Sequence, residues 1–226
     1  MCHERPSHAV VARCVLRLLP YAGFPQGPRM QQRLVDLLYQ GLETELGGVE
    51  IYTTAIACAV NKDLKKEWKE YLGQTKNHVR IMRDAMKTIG LDPEKVTPGR
   101  KVVHHIGGAL VKAMKMAKAT GDAEGAELVA AECVVLAETK DHQDWDLIRK
   151  CAEHLPGKAT EALKSAYDAI EYQEEEHLYH TKGWCRELWV RSLGMDALLP
   201  ASDERQHVKA AVGAPRAEQV AEPRQN

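Results

Sequence analysis

Residues 159–193, ATEALKSAYDAIEYQEEEHLYHTKGWCRELWVRSL, hold the pattern that decides the fold. Proline is absent from this stretch, and Gly183 is its only glycine. Residues suited to a core recur at steps of three and four, which is the spacing of one helix face. The pattern predicts a single long helix from Ala159 to Leu193. Two titratable side chains lie on its apolar face, which consists of Leu163, Ala166, Ile170, Glu174, His177, Thr181, Trp184 and Leu188.

The same spacing predicts four further helices upstream. Three are long, at Met30–Val60, Leu64–Ile89 and Ala123–Glu153, and a short one at Lys101–Ala119 lies between the second and the third. Long helices with short connections pack as antiparallel hairpins, and two hairpins make a four-helix bundle. We therefore expect an all-α, antiparallel four-helix bundle with a short extra helix in the central crossover.

The chain is expected to contain one domain, residues 30–193, because no low-complexity segment divides that region. Residues 1–29 are predicted to form a disordered or weakly helical extension, since Arg13 and Arg17 interrupt its apolar stretch. Residues 194–226, rich in Ala, Glu, Arg and Pro, are predicted to be a disordered tail.

Composition excludes several classes of function. The net charge of −1 provides no basic field for nucleic acid. No run of about 18 apolar residues is present, which argues against a membrane-spanning helix. The six cysteines are scattered singly without a C-x-x-C pair, as is typical of reduced thiols in a cytoplasmic protein. We expect neither nucleic-acid nor membrane partners.

Glutamate and histidine on the apolar helix faces are the main functional signal. An ionised carboxylate in a core costs roughly several kcal/mol unless it is paired or bound to a cation. Carboxylate oxygen and imidazole nitrogen suit iron and manganese, so a metal would compensate this cost. The plainer alternatives are hydrogen-bonded core histidines, acids paired with them, and a solvated acidic surface. The candidate metal ligands are Glu45, His78, Glu138, His142, Glu174 and His177.

Two of these pairs lie on single helices. Glu174 and His177 are three residues apart, so they share a helix face and can reach one metal together. Glu138 and His142 are four residues apart on the preceding long helix. A Glu-x-x-His pair is informative when glutamates on neighbouring helices accompany it, and Glu45 and Glu138 meet that condition.

The order of these residues along the chain resembles that of the ferritin-like di-iron carboxylate superfamily. It consists of Glu on the first long helix, His on the second, Glu on the third and Glu-x-x-His on the fourth. That superfamily includes ferritins, bacterioferritins, rubrerythrins and manganese catalases. The resemblance covers about Met30–Leu193 and rests on helix pattern and site order. It implies bridging carboxylates that hold two iron ions, or manganese, for reaction with dioxygen or peroxide. The ligands it implies are Glu45, His78, Glu138, Glu174 and His177, with His142 and Tyr52 in supplementary roles.

One position departs from the family pattern. Thr75 stands three residues before His78, where the resemblance implies a bridging glutamate, and its neighbour Gln74 is neutral. Either His142, Glu50 or another acid compensates, or the site binds a single metal, or binding has been lost.

Three functions are compatible with this pattern. The first is a di-iron oxidoreductase of ferroxidase or peroxidase type. The second is a non-catalytic structural or interaction bundle that has lost a full di-metal site. The third is a lipid- or hydroxylase-type oxidase, which would require a sizeable apolar pocket beside the metals. We expect a homodimer instead of a 24-subunit shell.

Overall fold

The computed structural model describes residues 28–155, 157–208 and 211–213. This part of the chain contains seven α-helices and no strand, which confirms the all-α prediction. None of its helices is long and apolar enough to cross a membrane. The predicted extension at residues 1–27 lies outside the described residues. The helices are α1 Pro28–Cys58, α2 Lys62–Thr88, α3 Pro98–Ala119, α4 Ala123–Ala152, α5 Lys158–Asp168, α6 Glu171–Ser192 and α7 Ser202–His207.

Helix boundaries follow local capping chemistry. The Asn61 side chain accepts hydrogen bonds from two backbone amides of the first turn of α2. Thr97 caps α3 in the same way, and Asp122 caps α4. Gly90 follows α2 with a positive φ of 79°, a conformation that glycine adopts without strain. These signals explain why the predicted ends of the first three long helices are close to the observed ones.

α1 and α4 form the centre of the molecule. α1 packs against α2, α3 and α4, while α4 also packs against α3, α5 and α6. The link between α1 and α2 is only three residues long, so these two helices form a hairpin. Side chains from α1, α2, α4 and α6 can therefore meet in one interior.

The prediction of one continuous helix over Ala159–Leu193 is wrong. The helical backbone is interrupted at Ala169 and Ile170, which separate α5 from α6. Ile170 has φ −126° and ψ −16°, and its side chain is buried in the core. Neither residue is Gly or Pro, so the break has no local signal. Core packing of Ile170 overrides helix propensity here.

The prediction of a disordered tail from residue 194 is wrong for Ser202–His207, which form α7. α7 packs on α6, and Glu204 is its buried anchor. The Glu204 carboxylate binds the Arg186 guanidinium and accepts a 3.1 Å hydrogen bond from the Val212 amide. Residues 209–210 and 214–226 lie outside the described residues.

Close approach at Gly183 permits this packing. A Cβ atom there would lie 2.5 Å from Glu204 Oε1 and 2.9 Å from Val212 Cβ, so the tail would have to shift.

We expect Gly183→Ala to accelerate tryptic cleavage at Arg205. The substitution should not give the increase in stability that usually follows replacement of a glycine within a helix. Gly73 in α2 is the matched control, because a Cβ there meets nothing within 4 Å. Gly73→Ala should stabilise the fold by about 0.5–1 kcal/mol in thermal unfolding. Equal proteolysis in both variants would contradict this packing.

The core consists of two apolar clusters. One surrounds Leu42, Met82 and Trp145, and the other surrounds Tyr52 and Trp68. Along α1, α2 and α4, the residues between these clusters include buried polar side chains. The α6 residues that belong to the same layer lie in the first half of that helix. This buried polar layer consists of Glu45, Thr75, His78, Glu138, Asp141, Glu174, His177 and Thr181.

Candidate metal centre

Titratable side chains from four helices converge in the buried polar layer. α1 contributes Glu45, α2 His78, α4 Glu138 and Asp141, and α6 Glu174 and His177. Each of these residues is at most 5% exposed. The predicted residues Glu45, His78, Glu138, Glu174 and His177 are therefore brought together, and Asp141 joins them.

Both imidazole rings turn Nδ1 towards the carboxylates. His78 Nδ1 lies 2.8 Å from Glu174 Oε1 and 3.5 Å from Glu45 Oε1. His177 Nδ1 lies 3.6 Å from Glu138 Oε2 and 3.9 Å from Glu174 Oε1. Donor atoms of one six-coordinate ion lie about 3 Å apart when adjacent and about 4 Å when opposite, given bonds of about 2.1 Å. The observed spacings are within the range that a shared cation requires.

The outer nitrogens of both rings are held by glutamines. His78 Nε2 is 2.7 Å from Gln173 Oε1, and His177 Nε2 is 2.6 Å from Gln74 Oε1. An amide oxygen only accepts hydrogen bonds, so each Nε2 carries the hydrogen. Nδ1 is consequently the nitrogen that can release its proton and bind a cation. A partner on the second nitrogen fixes the tautomer and orientation of a metal-binding histidine.

The two glutamine–histidine contacts are reciprocal. Gln74 and His78 are four residues apart on α2, and Gln173 and His177 are four apart on α6; each glutamine binds the histidine of the other helix. The two rings stack at a centroid distance of 5.5 Å. This arrangement was not predicted, although the pattern Gln-x-x-x-His occurs on both helices and could have indicated it.

Replacement of Gln74 by leucine tests this support. In Gln74→Leu the buried His177 ring loses its acceptor and can rotate, so we expect binding of a divalent cation to weaken about 10–100-fold. Competition with a chelator would measure the change. Gln74→Glu, which keeps an acceptor at this position, is the control and should retain tight binding. Wild-type affinity in the leucine variant would show that the contact does not orient the ligand.

Several carboxylate oxygens of the cluster accept no hydrogen bond. Two of these buried atoms, Glu138 Oε2 and Glu174 Oε1, lie 3.6 Å and 2.8 Å from an imidazole Nδ1; the other three are Glu45 Oε2, Asp141 Oδ1 and Glu174 Oε2. A buried acceptor without a partner is costly, and more so when it carries charge. Such atoms fit a site built to be completed by a cation, because carboxylate oxygen coordinates iron and manganese.

The cluster has more acids than bases. Four carboxylates face two imidazoles, so full ionisation would leave the layer negative even with both rings protonated. Burial raises the pKa of Glu45 to about 7, against the lowering effect of His78. Burial and the neighbouring acids raise the pKa of Asp141 well above its ordinary value. Although burial disfavours the imidazolium, Glu174 and Glu45 raise the pKa of His78 to about 11. In the metal-free protein, bound protons therefore balance the charge that a metal would otherwise neutralise.

The donors form two groups with one member in common. The donor atoms of His78, His177 and Glu174 lie within 4.8 Å of one another, and so do those of Glu45, Asp141 and Glu174. The Glu174 carboxylate belongs to both groups. It occupies the position that a bridging ligand between two ions would occupy.

The predicted ligand His142 does not join the cluster. Its half-buried ring contacts the Tyr179 ring edge-on at a centroid distance of 6.1 Å, and it belongs to neither group. Asp141, one residue earlier, occupies the inward position on α4. The two residues lie about 100° apart around the helix, so only one of them can face the other donors.

Glu50, the other named residue that could replace the missing carboxylate at position 75, does not belong to the cluster either. Glu50 is exposed on α1, and the Thr75 hydroxyl donates to the Tyr71 carbonyl of its own helix. Asp141, which was not among the predicted ligands, is the acid that lies with Glu45 and Glu174.

Two aromatic residues border the cluster. Trp145 Nε1 donates a 2.7 Å hydrogen bond to Glu45 Oε1, which orients this carboxylate. Tyr52 packs edge-on against the His177 ring at 5.8 Å. Burial and the nearby Glu138 raise the pKa of Tyr52 well above its ordinary value. Tyr52 therefore stays protonated beside the cluster, in the supplementary position that was predicted for it.

Comparison of the chain with protein-family models, with curated proteins and with solved structures gave no significant match.

Proposed function

We propose that this chain is a ferritin-like protein that binds two iron ions, or manganese, among α1, α2, α4 and α6. One observation carries the proposal: Glu174 is a buried carboxylate shared by two groups of donors, and its Oε2 accepts no hydrogen bond. The order of donors along the chain also resembles the ferritin-like pattern, apart from Thr75 on α2. Cytoplasmic location and a homodimer belong to the same proposal.

The residues present fit such a metal pair. His78 and His177 would supply nitrogen, and the four carboxylates would supply oxygen; Glu174 would be shared. Bound iron or manganese would supply one-electron redox chemistry for iron oxidation or for reduction of dioxygen or peroxide. The two apolar clusters on either side exclude water from the layer. In the metal-free protein burial raises the pKa of Glu45 to about 7, so binding of a cation by this carboxylate near neutral pH would release its proton.

A non-catalytic bundle is the second candidate function. The 2.8 Å ion pair between His78 and Glu174 favours it, because protons on the cluster can balance its charge without metal. Thr75 in place of the family's glutamate is consistent with the same interpretation. This candidate does not account for the three unpaired carboxylate oxygens.

The oxidase hypothesis receives less support. An apolar groove of about 240 Å³ lies among α1, α3 and α4, lined by Ile51, Leu110 and Ala137 among others. None of its lining residues belongs to either donor group. The groove is therefore not a substrate pocket that opens directly on the proposed metals.

Elemental analysis tests the proposed function. Protein purified from cells supplied with iron and manganese should contain two metal ions per chain. After anaerobic loading with iron(II), exposure to air should produce the visible absorption of oxidised iron. The matched variant is Glu174→Ala/His177→Ala, which removes one donor from each group. Metal content and thermal stability equal to those of wild type in this variant would refute the proposal and favour the non-catalytic bundle.

A further inference from the structure

The two donor groups differ in chemistry. His78, His177 and Glu174 offer two nitrogens and one carboxylate, whereas Glu45, Asp141 and Glu174 offer only carboxylates. We refer to them as the imidazole subsite and the carboxylate subsite. Imidazole suits zinc, iron, copper and nickel, while all-carboxylate sites suit harder cations such as magnesium, calcium and manganese.

The asymmetry arises from α2 and α4. α2 has Thr75 where a carboxylate would make the two halves alike, and the Thr75 hydroxyl is bonded to its own helix. α4 instead carries a second inward acid, Asp141, which is 5% exposed and has an unpaired Oδ1. The chain therefore has no carboxylate at position 75 and has two inward acids, Glu138 and Asp141, on α4.

The surrounding contacts maintain this division. Gln173 and Gln74 hold the outer nitrogens of both rings, so their Nδ1 atoms stay turned towards the carboxylates. Trp145 binds Glu45 Oε1, and Glu45 Oε2 accepts no hydrogen bond. Glu174 Oε1 faces the two imidazoles, and its Oε2 accepts no hydrogen bond. The Glu174 carboxylate belongs to both subsites.

We infer that this chain binds two different cations, a borderline transition metal in the imidazole subsite and a hard divalent cation in the carboxylate subsite. The inference rests on the proposed metal-binding function and specifies the class of ion at each position. Asp141 is the test position for the second subsite, because Glu174 belongs to both subsites and Asp141 belongs only to the carboxylate subsite.

Sequential loading with zinc and manganese tests the inference without any redox reaction. Metal-free protein receives one equivalent of Zn²⁺ per chain and then Mn²⁺ in excess, and equilibrium dialysis gives the content of each metal. Wild type should retain one zinc and one manganese per chain. Its electron paramagnetic resonance spectrum should be that of an isolated Mn²⁺, whereas protein loaded with Mn²⁺ alone should show two interacting ions.

Variants assign the subsites. Asp141→Asn should weaken manganese binding at least about 100-fold while zinc binding changes little, since loss of a direct ligand exceeds the 10–100-fold effect of losing an outer partner. Asp146→Asn on the same helix is the matched control, because Asp146 belongs to neither group. Circular dichroism would verify that both variants fold.

The outcomes separate the inference from the proposed function. Two metals in wild type without a zinc–manganese preference, or equal loss of both metals in Asp141→Asn, would overturn the inference while the metal-binding proposal stands. Full manganese binding in Asp141→Asn would overturn it as well. Absence of both metals from wild type would overturn the inference and the proposed function together.

Discussion

Glu174→Gln is expected to abolish binding of both cations with little loss of fold. The substitution keeps the shape of the side chain but removes the charge from the one carboxylate that belongs to both donor groups. Breaking a buried charge pair costs about 3–5 kcal/mol, which corresponds to a loss of roughly 10²–10³-fold or more in affinity. The substitution also removes one partner of the buried 2.8 Å ion pair with His78, so metal-free Glu174→Gln should fold but melt at a lower temperature than metal-free wild type.

Two measurements check this expectation: metal content after dialysis, and the melting temperature with and without metal. Wild type should melt at a higher temperature when metal is present, because a ligand that binds only the native state stabilises it. Glu174→Gln should show no such increase. Glu171→Gln, an exposed glutamate on the same helix, is the control and should behave as wild type. Retention of one tightly bound metal in Glu174→Gln would show that Glu174 is not shared.

Metal-free protein is expected to lose stability as pH rises. The folded-state pKa of Glu45 is about 7, above its ordinary value of 4.5. Its protonation therefore contributes fully below about pH 4.5, and the contribution is lost as pH rises through 7. His78, raised from 6.5 to about 11, acts in the same direction above pH 6.5. Ionisation of Glu45 alone should lower the free energy of unfolding by about 3 kcal/mol by pH 8, which corresponds to a decrease of roughly 6–12 °C in melting temperature.

Metal should reverse this dependence. Cation binding requires deprotonated ligands, so stabilisation by metal increases with pH. Melting curves from pH 5 to pH 8, with and without Mn²⁺, should diverge as pH rises. Glu45→Gln should flatten the decline of the metal-free protein between pH 5 and pH 7, since the titrating group is gone. A metal-free stability that rises over this interval in wild type would contradict the buried, protonated state of Glu45.

Most of the fold could be predicted because periodicity and capping act locally. α1, α2, α3 and α4 have the apolar spacing that marks helices in any sequence, and α2, α3 and α4 also have N-terminal cap residues. The break between α5 and α6 could not be predicted, since Ile170 leaves the helical conformation through core packing and not through a Gly or Pro. α7 was missed for a related reason: a polar six-residue helix is stabilised by Arg186 on another helix.

The sequence could indicate which face of each helix carries the site, but not always which residue on that face takes part. Glu45, His78, Glu138, Glu174 and His177 lie on apolar stripes, and burial of charge at those positions is unusual enough to be noticed. His142 was predicted as a ligand, whereas Asp141 occupies the inward position on α4. A spacing rule cannot decide between residues that are about 100° apart when helix rotation is unknown. The contacts of Gln74 and Gln173 could not be predicted without knowing which helices face each other across the layer.

Anomalous diffraction from crystals soaked in manganese or iron tests the central claim most directly. We predict two peaks inside the buried polar layer, one beside His78 and His177 and the other beside Glu45 and Asp141, with Glu174 between them. Crystals soaked at saturating metal that show no peak within this layer, or peaks only at the protein surface, would contradict the metal centre.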